Sequence, residues 1–318
     1  MSSKLLKQFS DRLWNDPQVR DQFIQAFDQP PPLHPCILWC QDPPLERPFA
    51  VEPPQPWQPD RVDRLSLGAQ PGKHPAHDRG AYYCLDFSSV FAASPLLQLS
   101  DLKTAIDVCA APGGKSLFTW HILQPDLLLC NEVVGKRLGT LMANLRRCHV
   151  SNFVNQQPGA IATQLDPHRL AQHFPQAFQL VLIDAPCSGQ SLLLKHKQVP
   201  GCFHKVTRNR NANRQKRIIG NSAQLVAPQG YLLYMTCTYS LEENEQVCHW
   251  LLKKYPHFQP IPVPHLLAYQ SHLTDLPCYR LWPHQGLGAG AFTALFQNQN
   301  LGEACTISLD DLATINRL

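Results

Sequence analysis

The sequence predicts a doubly wound α/β domain built around a mostly parallel sheet. Short apolar runs occur at residues 105–108, 127–130, 180–183 and 231–234. Each run is continuous rather than alternating, which is typical of strands buried on both faces of a parallel sheet. A turn of polar residues or glycine and then a helical stretch follow each run, so right-handed crossovers between parallel strands are expected.

The end of the chain predicts a different pair of strands. Residues 278–283 and 291–296 flank a link that contains Gly286, Gly288 and Gly290. Two apolar runs around a glycine-rich link favour an antiparallel hairpin. We expect this hairpin at the edge of the sheet.

Composition and charge bound the class of protein. The chain has 318 residues and a net charge of +4, which allows one large domain or two smaller ones and is compatible with a polyanionic partner. The first turns carry Lys4, Lys7, Asp11 and Asp16 with no apolar run behind them, so no signal peptide is expected. No stretch approaches the roughly 18 apolar residues of a membrane span. We therefore expect a cytoplasmic protein with no membrane segment, and a monomer, since nothing indicates an obligate partner.

The cysteines predict neither disulfides nor a metal site. The sequence has 12 cysteines, and in a cytoplasmic protein these are expected to be reduced thiols. Cys36 and Cys40 form a close pair, but no second pair with metal-ligand spacing accompanies them. The pattern therefore does not favour a bound metal.

The N-terminal part of the chain differs from the rest. Residues 1–28 predict one helix because apolar residues recur there at helical spacing. In the next segment, 29–79, 11 of the 29 prolines fall between residues 29 and 60, which favours extended backbone without a compact core. This segment could be a stiff connector. Alternatively, it is a strap or a reduced N-terminal module that lies on the following domain or on a partner. The main domain is expected over residues 80–298, and the tail 299–318 has no predicted role.

A glycine-containing turn and an acidic residue follow the first two strands of this domain. The turn consists of Cys109, Ala110, Ala111, Pro112, Gly113, Gly114 and Lys115. Ligands bind beyond the carboxyl ends of strands in open α/β sheets, where glycine allows close approach and a helix N-terminus favours an anionic group. A P-loop is excluded because Cys109 stands where its first glycine belongs. Glu132, at the end of the second strand, is either a ribose-binding acid or a solvated carboxylate.

Two cysteines follow two later strands. Cys187 lies three residues after Asp184 in a proline turn, and Cys237 ends the next strong strand. Since the carboxyl ends of parallel strands meet at one edge, both thiols are expected beside the glycine turn. One such cysteine is more often a small buried residue than a nucleophile. Two of them, one close to an aspartate, favour covalent chemistry.

These motifs resemble, in order and spacing, those of the NSUN/Nop/Sun (RsmB/Nop-type) family of RNA cytosine-5 methyltransferases, which depend on S-adenosylmethionine. The resemblance covers about residues 80–297. It rests on residues 80–83, 110–115, 132, 137, 184–189, 236–238, 242–245 and 280–284.

The resemblance implies a Rossmann-like class I methyltransferase fold, with a seven-stranded, mostly parallel sheet and a C-terminal antiparallel hairpin. The turn 109–115 would hold the methionine part of S-adenosylmethionine, Glu132 its ribose, and Arg137 would support the pocket. Asp184 would face both the cofactor and the target base. Cys237 would be the nucleophile, and Cys187 would assist product release.

The implied chemistry explains these residue types. Carbon 5 of cytosine is a poor nucleophile, and a thiolate that adds to carbon 6 makes it electron-rich through a covalent intermediate. Cys237 must then be deprotonated in use, and a protonated Asp184 would donate to ring nitrogen 3. The base must leave its stack, so the partner is a structured RNA with an accessible or flipped cytosine. Ribosomal RNA is the expected substrate on family grounds, and transfer RNA is the alternative.

Three features depart from the family. Pro158 stands where the family usually has an acid near the adenine, so no adenine contact is assigned. Residues 190–191 replace a glycine-containing extension, and the usual RNA-binding module before the core is absent or reduced to the proline-rich segment. RNA contact is therefore expected from the stretch 195–217, which contains no acidic residue. Its basic residues are Lys195, Lys197, Lys205, Arg208, Arg210, Arg214, Lys216 and Arg217, of which Lys205, Arg208, Arg210 and Arg214 are the predicted RNA contacts.

Alternatives remain for this stretch and for the whole protein. The basic residues could form a solvated helix face instead, and Phe203 and His204 are lesser candidates for stacking on bases. A methyltransferase of another target class fits two thiols poorly. A non-catalytic RNA-binding or assembly protein that retains the fold is the other possibility.

Overall fold

A computed structural model describes residues 4–150, 153–154 and 157–308 of the chain. The helices are α1 (Lys4–Ser10), α2 (Pro17–Asp28), α3 (Pro75–Asp78), α4 (Phe87–Ala93), α5 (Gly114–Leu123), α6 (Gly135–Arg147), α7 (Pro167–His173), α8 (Lys205–Ala223) and α9 (Glu245–Lys254). The strands are β1 (Cys36–Trp39), β2 (Val62–Arg64), β3 (Tyr82–Leu85), β4 (Thr104–Asp107), β5 (Leu127–Asn131), β6 (Phe153–Val154), β7 (Gln157–Pro158), β8 (Ala160–Thr163), β9 (Phe178–Asp184), β10 (Val226–Thr236), β11 (Phe258–Ile261), β12 (Cys278–Leu281) and β13 (Ala291–Asn298). Short 3-10 helices span Pro71–Lys73, Ser94–Gln98, Gln190–Lys195, Pro264–Tyr269 and Pro283–Gln285.

One large sheet organises the described residues. Its order is β11-β13-β10-β9-β4-β5-β8, and β12 pairs with β13 next to β11. The strands from β8 to β10 run parallel, and β13 is antiparallel to its three partners. The predicted Rossmann-like fold with a C-terminal hairpin is confirmed. The sheet has eight strands rather than seven because both β11 and β12 lie along the outer edge of β13.

Both faces of the sheet are buried, which explains the continuous apolar runs. Within β9, Leu180 and Leu182 face one hydrophobic cluster, while Val181 and Ile183 face another. Helices α4, α5 and α6 contribute to the first cluster and α7, α8 and α9 to the second. A strand covered on both sides needs apolar residues at consecutive positions.

The strand order reverses between β4 and β9. From β4 the chain builds outward to β5 and β8 on one side, and β9 and β10 extend the sheet on the other. The crevice beyond the carboxyl ends of strands at such a reversal is where open α/β sheets bind ligands. Asp107 ends β4 and Asp184 ends β9, so both carboxyls lie at this point.

The N-terminal helix predicted over residues 1–28 is two helices in the described part of the chain. The first ends at Ser10, and the second begins at Pro17. Asp16 caps the second helix by accepting a hydrogen bond from the Gln18 N–H (2.8 Å). An aspartate followed by proline is a helix-start signal, and here it outweighs the apolar periodicity across residues 11–16.

The expectation that the proline-rich segment lacks a compact core is wrong. Strands β1 and β2 pair with β3 in a separate antiparallel sheet of order β2-β1-β3. Trp57 is fully buried, and its ring centroid lies 4.6 Å from that of Phe87 in α4. The segment is therefore a strap on the α/β domain rather than a free connector, and the boundary expected at residue 80 falls just before the third strand of the small sheet. Large aromatic side chains supply the apolar area that the prolines do not.

The C-terminal tail is only partly described. Of the tail expected over 299–318, residues 309–318 lie outside the described part. In the remainder, the Cys305 N–H donates to the Gln176 carbonyl (3.0 Å).

Among the described residues, none of the helices combines the length and apolar character that a bilayer crossing requires.

Candidate active site

The turn after β4 is held from beneath by Asp107. Its carboxylate accepts hydrogen bonds from the Cys109 N–H (3.2 Å) and the Ser116 hydroxyl (2.7 Å). Burial raises the pKa of this carboxyl to about 7, although the bond from Ser116 opposes the rise. The sequence analysis did not assign Asp107 to the site. Its position as the last residue of a buried strand was the available signal.

The two glycines of the turn have different reasons to be glycine. Gly113 has a φ of +113°, a conformation that side chains disfavour. At Gly114 an added Cβ would lie 2.7 Å from Leu85 Cδ1 and 3.2 Å from Tyr83 Cε1. Gly114 therefore allows α5 to pack against β3, and the expected approach of a ligand to its backbone stays a prediction.

Glu132 lies beside the turn, and one of its carboxylate oxygens is in an ion pair but accepts no hydrogen bond from the described residues. Its side chain is 2% exposed, and Oε1 accepts a hydrogen bond from the Val134 N–H (2.9 Å). Oε2 lies 2.9 Å from Nη1 of Arg137 but has no hydrogen-bond donor within the described part of the chain. Arg137 also donates to the Ala111 carbonyl (2.5 Å). A buried acceptor without a donor fits a ribose hydroxyl, so this edge is suited to S-adenosylmethionine.

Lys115 and Asp184 form an ion pair at the reversal of strand order. Lys115 Nζ lies 2.7 Å from Asp184 Oδ2, and both side chains are partly buried. Burial alone would lower the pKa of the Lys115 ammonium, but the adjacent carboxylate outweighs it and the pKa is raised. The pair brings a cation and its proton to the end of β9.

The two cysteines lie side by side next to this ion pair. Cys187 Sγ and Cys237 Sγ are 3.4 Å apart. The hydrogen bond from Cys187 lowers the pKa of the Cys237 thiol, and the charge of Lys115 acts in the same direction against burial and Asp184. The same contact, together with burial, raises the pKa of Cys187 well above that of an ordinary thiol. These directions favour the thiolate form at Cys237 and the protonated form at Cys187.

Buried polar side chains connect the two cysteine loops. The Gln190 side-chain oxygen accepts from the Thr238 hydroxyl (2.8 Å) and the Tyr239 N–H (2.9 Å), so the family departure at this position links one loop to the other. Glu243 accepts from the Ser188 N–H (2.8 Å) and from Gln215 (3.0 Å). Neither Gln215 nor Glu243 was assigned a role from the sequence.

The position of Gln215 in the sequence could have predicted its buried role. It is in helical phase with Ala212 and Ile219, which are buried. A polar residue on the apolar phase of a helix is expected to have a buried partner.

A buried ion pair supports the Cys237 loop from outside. Arg280 on β12 donates to both carboxylate oxygens of Glu245, at 2.5 Å each, and both side chains are at most 2% exposed. Arg280 also donates to the Tyr239 carbonyl (3.1 Å). The motifs at 242–245 and 280–284 are therefore joined behind the Cys237 loop.

One predicted RNA contact, Arg208, and one lesser stacking candidate, Phe203, are wrong because their side chains are used inside the protein. Arg208 is 5% exposed and forms an ion pair with Glu242 (3.0 Å). Phe203 is buried, with its ring centroid 5.2 Å from that of Phe9 in α1. Lys195, in the same basic stretch, pairs with Asp86. Other basic residues are exposed: Lys197, Lys205, Arg210, Arg214 and Arg217.

Most of the predicted site residues meet at one edge of the sheet. Lys115 contacts Asp184, Cys187 contacts Cys237, and the charges of the ion pair act on Cys237. The turn is joined to Glu132 through Arg137. The side chain of Pro158 lies outside the described residues. No group of three or more His, Cys, Asp or Glu side chains that could hold a metal occurs in the described ranges.

Comparisons with solved structures agree with this fold. NSun6 from Pyrococcus horikoshii superposes with a TM-score of 0.72 at 16% identity, covering 94% of this chain and 99% of that one. A methyltransferase homolog protein from Pyrococcus horikoshii gives a TM-score of 0.69 at 19% identity, covering 93% and 99%.

Comparisons with curated proteins give the family. Ribosomal RNA small subunit methyltransferase F of Pectobacterium carotovorum is 31% identical over 182 residues, 57% of this chain and 36% of that protein. Its counterpart in Erwinia tasmaniensis is 30% identical over 239 residues, 74% of this chain and 48% of that protein. The matches thus span less than half the length of these relatives. The family model described as 16S rRNA methyltransferase RsmB/F matches residues 94–297. The chain belongs to the RsmB/F methyltransferase family, as its motif series indicates.

Proposed function

We propose that this protein transfers a methyl group from S-adenosylmethionine to carbon 5 of a cytosine in RNA, with Cys237 as covalent nucleophile. The observation that carries the proposal is the thiol pair of Cys187 and Cys237, 3.4 Å apart, next to the Lys115–Asp184 ion pair. A methyltransferase that acts on nitrogen uses the nitrogen lone pair and needs neither thiol. The arrangement therefore favours a carbon target in a pyrimidine.

The cofactor site is assigned to the edge formed by the turn 109–115, Glu132 and Arg137. The turn would hold the methionine part, and Oε2 of Glu132, which accepts no hydrogen bond within the described residues, would accept from the ribose. Arg137 would fix both, because it contacts the Ala111 carbonyl and the Glu132 carboxylate. The sulfonium of the bound cofactor supplies an electrophilic methyl group.

Cys237 would start the reaction. Its thiolate adds to carbon 6 of the cytosine, so a sulfur–carbon bond forms and the double bond between carbons 5 and 6 breaks. The electron pair moves toward carbon 5 and ring nitrogen 3. The lowered pKa of Cys237 favours the thiolate that this step needs.

Lys115 and Asp184 would manage the charge that develops on the ring. Lys115 Nζ carries a proton and lies 2.7 Å from Asp184 Oδ2. The carboxyl can take this proton as the base arrives and donate it to nitrogen 3, which is general acid catalysis. The ion pair thus supports the role expected of a protonated Asp184 and names the source of its proton.

Cys187 would act at product release. After carbon 5 has accepted the methyl group and lost its proton to a base, the bond between carbon 6 and Cys237 breaks and the sulfur leaves as a thiolate. Cys187, protonated because of its raised pKa, donates to that departing sulfur from 3.4 Å away. The contact that stabilises the thiolate before addition also stabilises it as the leaving group.

Ribosomal RNA is the proposed substrate. The curated relatives are named as ribosomal RNA small subunit methyltransferases, and the family model carries the same substrate in its description. A cytosine can reach Cys237 only when it is unstacked, so a loop or a flipped base is the target.

The proposal is tested by incubating the purified chain with methyl-labelled S-adenosylmethionine and unmodified small-subunit ribosomal RNA. Labelled 5-methylcytosine in the digested RNA is expected, together with a cytosine that resists bisulfite conversion. A Cys237→Ala chain should give neither, whereas Cys305→Ala, which changes an exposed cysteine, should match the unchanged protein. Methyl transfer by Cys237→Ala at the normal rate would contradict the proposed mechanism.

A further inference from the structure

We infer that the outer face of α8 is the surface on which the substrate RNA docks through its phosphates. This inference rests on the proposed function, in which RNA is the substrate. The face, called the α8 face below, consists of residues spaced three and four apart, which form one stripe of a helix. Its members are Val206, Asn209, Arg210, Asn213, Arg214 and Arg217, and all of them are exposed.

The cations of the α8 face have no carboxylate partners. Among the residues that the structure describes, no acidic side chain lies within ion-pair distance of Arg210, Arg214 or Arg217, whereas Arg208 on the buried side is paired with Glu242. Helix α8 itself contains no acidic residue. Three positive charges are therefore free to meet an external anion.

This arrangement lowers the stability of the helix. Arg210 and Arg214 are four residues apart and Arg214 and Arg217 three apart, so like charges repel on one side of the helix. Lys205 is the first helical residue, where the helix dipole disfavours a cation. Asn209 is a poor helix former at an exposed position. A polyanion bound along this face would relieve both electrostatic penalties.

The composition of the face fits an RNA backbone. Val206 is its single apolar residue, whereas a membrane-binding helix needs a broad apolar side. Arginine forks match phosphate oxygens, and asparagine amides between them can contact phosphate and sugar. The face thus offers positioning contacts of the kind that dominate nucleic-acid binding.

The location of α8 connects this face to the proposed active site. The opposite side of the same helix carries Gln215, which donates to the Pro186 carbonyl (3.1 Å) and to Glu243 (3.0 Å). Since α8 follows β9 and leads into parallel β10, its N-terminus lies at the edge of the sheet where Cys187 and Cys237 lie. RNA along the α8 face would run toward that edge.

The test compares two variants that each lose three positive charges. The first carries Arg210→Gln, Arg214→Gln and Arg217→Gln. The control carries Lys103→Gln, Lys253→Gln and Lys254→Gln, exposed residues that precede β4 or end α9 at the other edge of the sheet. Binding of labelled oligocytidylate and of small-subunit ribosomal RNA is measured over a salt series.

The first variant should bind RNA more weakly, and its plot of log affinity against log salt should be shallower by about 2, since each single-strand phosphate contact contributes about 0.7. Its thermal midpoint should equal or exceed that of the unchanged protein, because repulsion is removed. The control should retain the original affinity and slope.

Equal binding by the first variant and the unchanged protein would overturn the inference while leaving the proposed function intact. An equal loss in the control would also overturn it, since the effect would then be one of net charge. If the unchanged protein bound neither RNA, both the inference and the proposed function would fail.

Discussion

Cys237 and Cys187 are the same residue type at the ends of adjacent parallel strands, yet the protein treats them oppositely. The pKa of Cys237 is lowered and that of Cys187 is raised. Asp184 and Lys115 act on the pKa of Cys237 in opposite directions, whereas the charge of Glu243 raises the pKa of Cys187. The contact between the two sulfurs is the largest cause of both shifts, so the comparison teaches that the proposed choice of nucleophile depends on the geometry of the pair.

The largest effect is expected when Cys237 is removed. Cys237→Ala should abolish both methyl transfer and covalent capture of RNA, because no other thiolate lies at the proposed base site. Filter retention of labelled RNA in denaturant measures capture. Full capture by this variant would show that the other cysteine is the nucleophile and would reverse the comparison.

Cys187→Ala should separate addition from release. The thiolate of Cys237 can still add and the methyl group can still move, but the leaving sulfur loses its donor. We expect a denaturant-resistant complex with RNA and loss of repeated turnover. The double variant Cys187→Ala/Cys237→Ala is the control and should form no complex. Normal turnover by Cys187→Ala would remove Cys187 from the mechanism.

Replacing the cation next to the pair should slow addition. Lys115→Met removes the positive charge that favours the Cys237 thiolate and the proton that Asp184 would pass to the base. The single-turnover rate at saturating RNA should fall about 10²–10⁴-fold, the range of general acid catalysis. Asp184→Asn should fall within the same range, and a rate unchanged in both variants would contradict the role given to the ion pair.

The pH dependence of alkylation sharpens the comparison without RNA. Hydrogen bonds to a charged group contribute about 1.5–3 kcal/mol, which corresponds to about 1–2 pH units at 1.36 kcal/mol per unit. Because Cys187 lowers the pKa of Cys237, Cys187→Ala should move the midpoint of Cys237 alkylation by iodoacetamide upward by about that amount. A downward shift would mean that Cys237 is the donor of the pair.

The smallest effect is expected at the outer support of the Cys237 loop. Arg12 pairs with Glu242 at 2.7 Å, but its side chain is 44% exposed and Arg208 pairs with the same carboxylate. Arg12→Ala should therefore lower the free energy of unfolding by only about 0.2–1 kcal/mol, with methyl transfer within experimental error of normal. A large loss of activity would mean that Arg12 is needed to position the Cys237 loop.

Much of the fold and the site could be predicted because local patterns specify them. Continuous apolar runs located the parallel strands, and motifs at strand ends located the turn, the acid and both cysteines. The features that were missed depend on partners far away in sequence. Arg208 looked like a phosphate ligand until Glu242, 34 residues further on, proved to be its partner, and Trp57 makes a core for a proline-rich segment only through Phe87.

One missed feature was readable from the sequence. Arg208 is in helical phase with the buried residues Ala212, Gln215 and Ile219, so its side of α8 was predictable as the inner one. The opposite electrostatic states of the two thiols were not predictable, because they depend on a 3.4 Å contact between loops 50 residues apart.

The central claim is that Cys237, and not Cys187, bonds to carbon 6 of the target cytosine. The most direct measurement uses RNA in which the target carries 5-fluorocytidine, since fluorine at carbon 5 cannot leave as a proton and the adduct persists. After incubation with S-adenosylmethionine and digestion, mass spectrometry identifies the modified peptide. The account predicts a nucleotide on the peptide that contains Cys237; a nucleotide on the Cys187 peptide would contradict it.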